Sequence, residues 1–315
     1  MSAPVALSRL SAHLERSPSA APARRSPWGA LGRLRGETAA MAALLVLVGL
    51  AALAAAAPVV SRYDPLLQDR ASRFEPPSLR HLFGTDEFGR DIWSRVIHGA
   101  RVSLLTGAAV VVVAGTVGIP LGLLGGYAGG WTDAVVMRFL DFLLAVPAIL
   151  LAMAVIAVLG PGVLNAVLAV AIVSIPAFAR IARASTLALK EREFVLAGRA
   201  MGAGPAYLMF RTILPNALSP LLVQATVAAA YAILLEAALS FLGLSTRPPE
   251  PSWGSMLNTG RSFLYQAPWY GLFPGIMITL AVLALNGLAD GLQRAFAGGA
   301  ADAGATRAPA GARGG

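Results

Sequence analysis

The stretch KEREFVLAGRAMGAGPAYLMFRTILPN, from Lys190 to Asn216, lies between two long apolar runs, and its reading decides how the rest of the chain is arranged. Lys190 to Met201 consists of good helix formers, Gly202 and Gly204 permit a reversal, and Pro205 suits the first turn of a second helix. The expected unit is helix, glycine turn, helix. Tyr207, Leu208 and Phe210 then form a compact apolar knob, ringed by Arg199 and Arg211, in a loop that ought to be polar. An exposed knob of this kind fits a partner's groove.

Outward from this loop, apolar runs occupy residues 38–60, 102–126, 133–159, 162–184, 217–244 and 271–296. Each is long enough to cross a hydrocarbon core of about 30 Å at about 1.5 Å per residue. About six transmembrane helices are therefore expected, in an all-α membrane protein. Composition agrees, with 57% apolar residues, 13% charged and a mean hydropathy of +0.68. A soluble domain needs roughly a quarter of its residues charged. Ala55, Ala56 and Ala57 resemble a signal-peptide cleavage site, but the tail that precedes residues 38–60 is long for such a signal, so this run reads as an uncleaved anchor.

The expected organisation is a basic, disordered cytoplasmic tail at 1–37, a first transmembrane helix at 38–60 and an external polar segment at 61–101. A five-helix core at 102–296 follows, with its cytoplasmic loop at 185–215, and a flexible tail at 297–315. Orientation follows the arginines and the single lysine. With Arg9, Arg16, Arg24, Arg25, Arg33 and Arg35 inside, six spans also place Arg180, Arg183, Lys190, Arg192, Arg199, Arg211 and the carboxy terminus inside. Seven arginines in 61–101 run against this count, so N-in and C-in holds on balance.

Most enzyme chemistry is excluded early. There are no cysteines for disulfides, thiolates or Cys-type zinc sites. The three histidines, His13, His81 and His98, all lie outside the apolar runs and form no HExxH or Ser/His/Asp arrangement. A P-loop needs Lys followed by Ser or Thr, and Lys190 is followed by Glu191. Energy for any transport must come from elsewhere. No internal repeat of the kind that marks secondary transporters is evident. The charge of +9 sits in segments flanking the apolar runs rather than in an aromatic-studded patch, which argues against nucleic acid.

The loop and its surroundings resemble the inner-membrane permeases of binding-protein-dependent ATP-binding cassette (ABC) importers, in the dipeptide/oligopeptide/nickel branch. Gly202 and Leu214-Pro215 match the cytoplasmic signature of that class, while Leu196, Ala197 and Gly198 stand at its EAA positions and Thr212 at its Ile position. The resemblance covers roughly residues 80–296. Gly84 to Asp91, Ser94-Arg95, Gly99 to Leu104, Arg138, Asp141, Pro147, Ala179-Arg180, Arg183, Glu236-Ala237, Leu239 to Gly243, Pro251 to Gly254 and Met256-Leu257 extend it in order.

The resemblance implies the type I importer permease fold in the cytoplasmic (inner) membrane, surrounded by lipid. It implies a second homologous permease, two cytoplasmic ABC ATPases that bind the ATP and Mg, an external solute-binding protein and a peptide substrate. No cofactor is expected in this chain. Arg199, Gly202, Ala203, Tyr207, Phe210, Leu214 and Pro215 are the implied ATPase-coupling residues, and Glu236 with Ser240 are candidates for the path or its gate. Nickel, glutathione or oligosaccharide import by the same machinery is the alternative. An ATPase-independent channel or scaffold is the alternative from another class.

Several of these residues carry a plainer expectation too. Asp91 stands where it would stabilise a helix N-terminus. Arg138 and Asp141, three apart, are expected to neutralise each other on one helix face. Trp253 reads as an interfacial anchor or a loop-packing residue. Glu236, within an apolar span, is costly unless paired or wetted, and a packing or gating role competes with contact to a peptide's amino terminus.

Overall fold

A computed structural model describes residues 34–305. The basic tail expected at 1–37 lies outside the described residues up to position 33, and the carboxy-terminal tail lies outside them from 306. Among the described residues there are helices and no β-strand, apart from one isolated bridge between Thr85 and Asp91. In chain order the helices are α1 (Thr38–Ala55), α2 (Ala57–Val60), α3 (Ile92–Ala128), α4 (Gly130–Ala145), α5 (Ala148–Leu159), α6 (Val163–Leu189), α7 (Glu193–Ala200), α8 (Pro205–Phe241), α9 (Trp253–Ser262) and α10 (Pro268–Ala305).

Five of these, α1, α3, α6, α8 and α10, are long and apolar enough to cross a membrane, and α4 with α5 makes a sixth if the bent pair is one span. The run 133–159 is thus not the single helix its apolarity implied. It breaks at Val146-Pro147 with a bend of 92°. Proline disfavours the helical region for the residue before it, and Val146 is extended, with φ −93° and ψ 131°.

Three other expected boundaries move. Helix α3 begins at Ile92, inside the segment read as the 61–101 loop, because Asp91 caps it by accepting hydrogen bonds from the Ser94 amide and hydroxyl, both at 2.8 Å. Helix α7 starts only at Glu193, after a turn at Lys190 to Arg192. Helix α10 continues past 297 to Ala305, where a flexible tail was expected.

The tightest seam of the bundle joins α3 to α6. Gly118, Gly122 and Gly126 on α3 face Phe178, Ala182 and Thr186 on α6, so closely that an added Cβ would lie 2.8, 2.7 and 2.8 Å from the Cβ atoms of those residues. Small residues spaced by one turn let two helix backbones approach, which is how helices associate where lipid offers no hydrophobic drive. Val110, Ala114, Ile156, Val167, Phe178, Ala232 and Leu239 continue this core across α3, α5, α6 and α8.

The bundle has two distinct ends. At one, the Arg101 guanidinium donates to the Ala54 and Ala55 carbonyls at 2.6 and 2.9 Å, and Arg247 donates to the Pro161 carbonyl at 2.7 Å. Residues 61–91 form a polar cap here whose charges are largely satisfied internally. Asp86 receives Arg90 at 2.6 Å, and His81 meets Asp91 at 2.9 Å. The Ser72 hydroxyl and the Ala71 amide hold the Asp69 carboxyl below its usual range, whereas burial and neighbouring Asp86 push Glu87 up. Trp253 is fully buried beneath the cap and donates to the Val96 carbonyl at 3.0 Å, so it is a packing residue and not an interfacial anchor. At the other end, Arg294 pairs with Glu37 at 2.9 Å, and Lys190 donates to the Gly126 carbonyl at 3.1 Å.

Candidate coupling loop and membrane path

The Lys190–Asn216 loop sits at the Lys190 end, folded back on α3. Gly202 makes the reversal with φ +84°, a left-handed conformation that L side chains rarely adopt, and Pro205 opens α8. Residues Leu208–Ile213 then form a π-helical turn. Its wider turn, closed by i→i+5 bonds, puts Leu208 and Ile213, five apart, on one face, and both are buried with Val195 and Leu123. Burying one such side chain contributes about 1.5–3 kcal/mol.

The apolar knob is therefore divided. Leu208 points inward and anchors the loop, while Tyr207 and Phe210 remain 60% and 46% exposed. Sequence alone grouped the three because a π-turn leaves no mark in an apolar pattern read at 3.6 residues per turn. Gly198, at the third EAA position, faces Leu208, and a Cβ there would lie 2.9 Å from Leu208 Cδ2. Arg199 stacks over the Tyr127 ring at 5.7 Å, tied to α3 instead of ringing the knob. Ala203 is half-buried against the anchor cluster, Leu214 is half-buried beneath it, and Pro215 and Arg211 are exposed.

Glu236 and Ser240 belong to a different place. Glu236 is fully enclosed between α3, α8 and the segment before α9, accepting hydrogen bonds from the Ser103 hydroxyl at 3.3 Å and the Ser245 hydroxyl at 3.1 Å. Ser240, also buried, shares a hydrogen bond with Ser252 at 2.7 Å, the residue that caps α9. In this conformation neither faces an open path. Together they join three elements at the cap end.

The expected pairing of Arg138 with Asp141 does not occur. Asp141 on α4 instead accepts from Arg180 on α6 at 2.7 Å, and Asp133 accepts a two-pronged bond from Arg183 at 2.5 and 2.6 Å. Arg138 is exposed and has no side-chain partner among the described residues. Only the fold could reveal this exchange, since the partners are 39 and 50 residues apart.

Residues 118–300 match the family described as the binding-protein-dependent transport system inner membrane component, and residues 26–77 match the N-terminal transmembrane domain of oligopeptide transport permease C. Over 272 residues the chain is 43% identical to the dipeptide transport system permease protein DppC of Alkalihalophilus pseudofirmus, a match covering 86% of this chain and 90% of that protein. It is 45% identical over 277 residues to the glutathione transport system permease protein GsiD of Pectobacterium atrosepticum, covering 86% and 91%. A chain from inward-facing structures of the MetNI methionine ABC transporter shares the fold, with a TM-score of 0.52 at 19% identity, over 64% of this chain and 95% of that one.

Proposed function

The chain belongs to the inner-membrane components of binding-protein-dependent transport systems, and from that membership we propose that it is the permease subunit through which an ATP-driven importer moves di- and oligopeptides into the cell. It is a multi-pass protein of the cytoplasmic membrane. In this reading a second homologous permease completes the path, two cytoplasmic ATPases hold the ATP and Mg, and an external binding protein delivers the peptide. The Lys190 end is cytoplasmic and the polar cap is external. The arginines that run against the positive-inside count have structural partners: Arg73, Arg90 and Arg95 are engaged by cap carbonyls and carboxylates, and Arg101 by the Ala54 carbonyl of α1.

One observation carries the coupling role: Tyr207 and Phe210 stand exposed on a turn that Leu208, Val195 and Ile213 fix rigidly to the bundle. A supported aromatic pair of this kind is a ready anchor for a partner's groove. Gly202, Ala203, Leu214 and Pro215 hold the turn's shape, and Arg199 ties it to Tyr127. Glu236 and Ser240 act at the external end as the joint of a gate, not as a peptide contact.

The test is reconstitution with the binding protein and ATPases, following ATP-dependent uptake of a labelled dipeptide. Tyr207→Ala with Phe210→Ala removes two large apolar contacts, each worth about 1.5–3 kcal/mol, so co-purification of the ATPase drops at least about tenfold and uptake goes with it. Full ATPase binding and substrate-stimulated hydrolysis in this double variant would sink the coupling assignment. The glutathione-transporting relative supports glutathione as a second cargo reading, and competition of unlabelled glutathione against the dipeptide decides between them. Solute flux without any ATPase would favour a channel.

A further inference from the structure

Helix α4 is attached to the bundle differently from its neighbours. Of its residues only Leu140 is fully buried. Both its ends are built as hinges. It is entered through Gly129 and Gly130, with φ +66° and +50° and nothing within 4 Å of the side chain that either could carry. It leaves through the extended Val146-Pro147 break and the 92° bend into α5.

Between those hinges two ion pairs hold it, Asp133 with Arg183 and Asp141 with Arg180, both reaching to α6. The two arginines lie on the last turns of α6 before Lys190, where the coupling loop begins. Helix α6 is fused to α3 by the glycine seam, and the loop packs on both through Leu123, Tyr127 and Leu189. A displacement of the loop therefore moves α3 and α6 as one piece. Helix α4 rests on α3 where Asp133 and Met137 lie against Gly125, in ordinary van der Waals contact and not a backbone-to-backbone seam, and its ionic links to α6 are the two tethers.

We infer that the Asp133–Arg183 and Asp141–Arg180 pairs are a positioning relay that carries motion of the ATPase-docking loop into α4, which swings between its two hinges as the inner gate of the path. This rests on the importer reading and assigns it four residues that act through position, not by touching the cargo. Arg138, exposed on the same helix and without a side-chain partner among the described residues, lies outside the relay.

The chain has no cysteine, so a single Phe142→Cys, at an exposed position of α4, reports on that helix alone. In vesicles holding the permease with its ATPases, its rate of reaction with a maleimide is compared without nucleotide and with ATP and vanadate. The expected difference is at least about fivefold, the lower end of ordinary allosteric coupling. It collapses in Arg183→Asp and in Asp133→Arg and returns in the double reversal, while ATPase co-purification stays at the parent level throughout. Asp141→Asn, which keeps shape and loses charge, gives a partial loss and serves if a reversal does not assemble. An unchanged nucleotide response in these variants, no response in the parent, or no rescue by the double reversal overturns the relay. Peptide uptake by the parent is measured in the same vesicles. Its absence with an intact labelling response overturns the cargo reading alone.

Discussion

The α3–α6 seam and the α4–α5 pair are both apolar runs in sequence, yet they are held by different forces. In the seam, glycines bring backbone against backbone, and Phe178, Ala179 and Ala182 are buried to within 1%. In α4, Trp131, Phe139 and Phe142 are 83, 60 and 70% exposed, and attachment comes from Leu140, the contact of Met137 with Gly125 and two ion pairs. Close packing has a single geometry and transmits displacement rigidly. Ion pairs between long side chains tolerate rotation while keeping two elements together. The contrast teaches that one chain can hold both a rigid lever and a tethered flap within runs that are all apolar enough to lie in a membrane.

Breaking the seam has the largest expected effect. In Gly122→Leu the new Cβ would meet Ala182 Cβ at 2.7 Å and press on the Ala179 backbone, which cannot yield as a side-chain tip does. Overpacking of this kind costs about 1–3 kcal/mol and more where backbone must move. Membrane abundance and detergent melting temperature should both fall sharply. Gly129→Ala sharpens the comparison. It meets only a backbone penalty of roughly 1–3 kcal/mol, since φ +66° with ψ −159° is a conformation used almost only by glycine, and with open space around it the strain stays local, so abundance falls less than in Gly122→Leu. Equal losses in the two variants would erase the distinction between lever and hinge.

A more local effect is expected beneath the coupling loop. Leu208→Ala removes a side chain that is 1% exposed and costs about 2–5 kcal/mol. Tyr207→Ala, at 60% exposure, should change stability by less than about 0.5 kcal/mol. Limited trypsin cleavage at Arg192 and Arg199 reads the difference directly: faster in Leu208→Ala and unchanged in Tyr207→Ala. The reverse ranking would mean that the anchor and the docking surface have been exchanged.

What the sequence made legible follows from which interactions are local. Spanning helices, the Gly202 reversal and the Asp91 cap depend on residues within a turn of one another, and they could be read. The break at Val146-Pro147 was present as a proline but was masked by the unbroken apolar run around it. The partners of Asp133 and Asp141 were not readable, because the nearest opposite charge in sequence, Arg138, is not the nearest in space. Glu236 stood out as a carboxylate in an apolar span. Its enclosure by Ser103 and Ser245 depends on the packing of α3 against α8, which no periodicity records.

The smallest expected effect, that of Phe139→Ala, tests whether α4 is held only as described. Phe139 and Leu140 are adjacent on that helix, the first 60% exposed and the second fully buried. If attachment were spread along the helix, truncating either would loosen it. If it is confined to the buried contact and the ion pairs, Phe139→Ala should alter stability by less than about 0.5 kcal/mol, whereas Leu140→Ala loses a core contact worth about 2–5 kcal/mol. Hydrogen exchange resolves the two by region. Leu140→Ala should raise exchange across Gly130–Ala145 while leaving protection of the seam between α3 and α6 intact, because an opening confined to a weakly packed element does not need the global unfolding free energy. Phe139→Ala should leave both regions at parent levels. Faster seam exchange in Leu140→Ala would show that α4 supports the lever itself, and a tethered flap could then no longer be separated from the bundle that drives it.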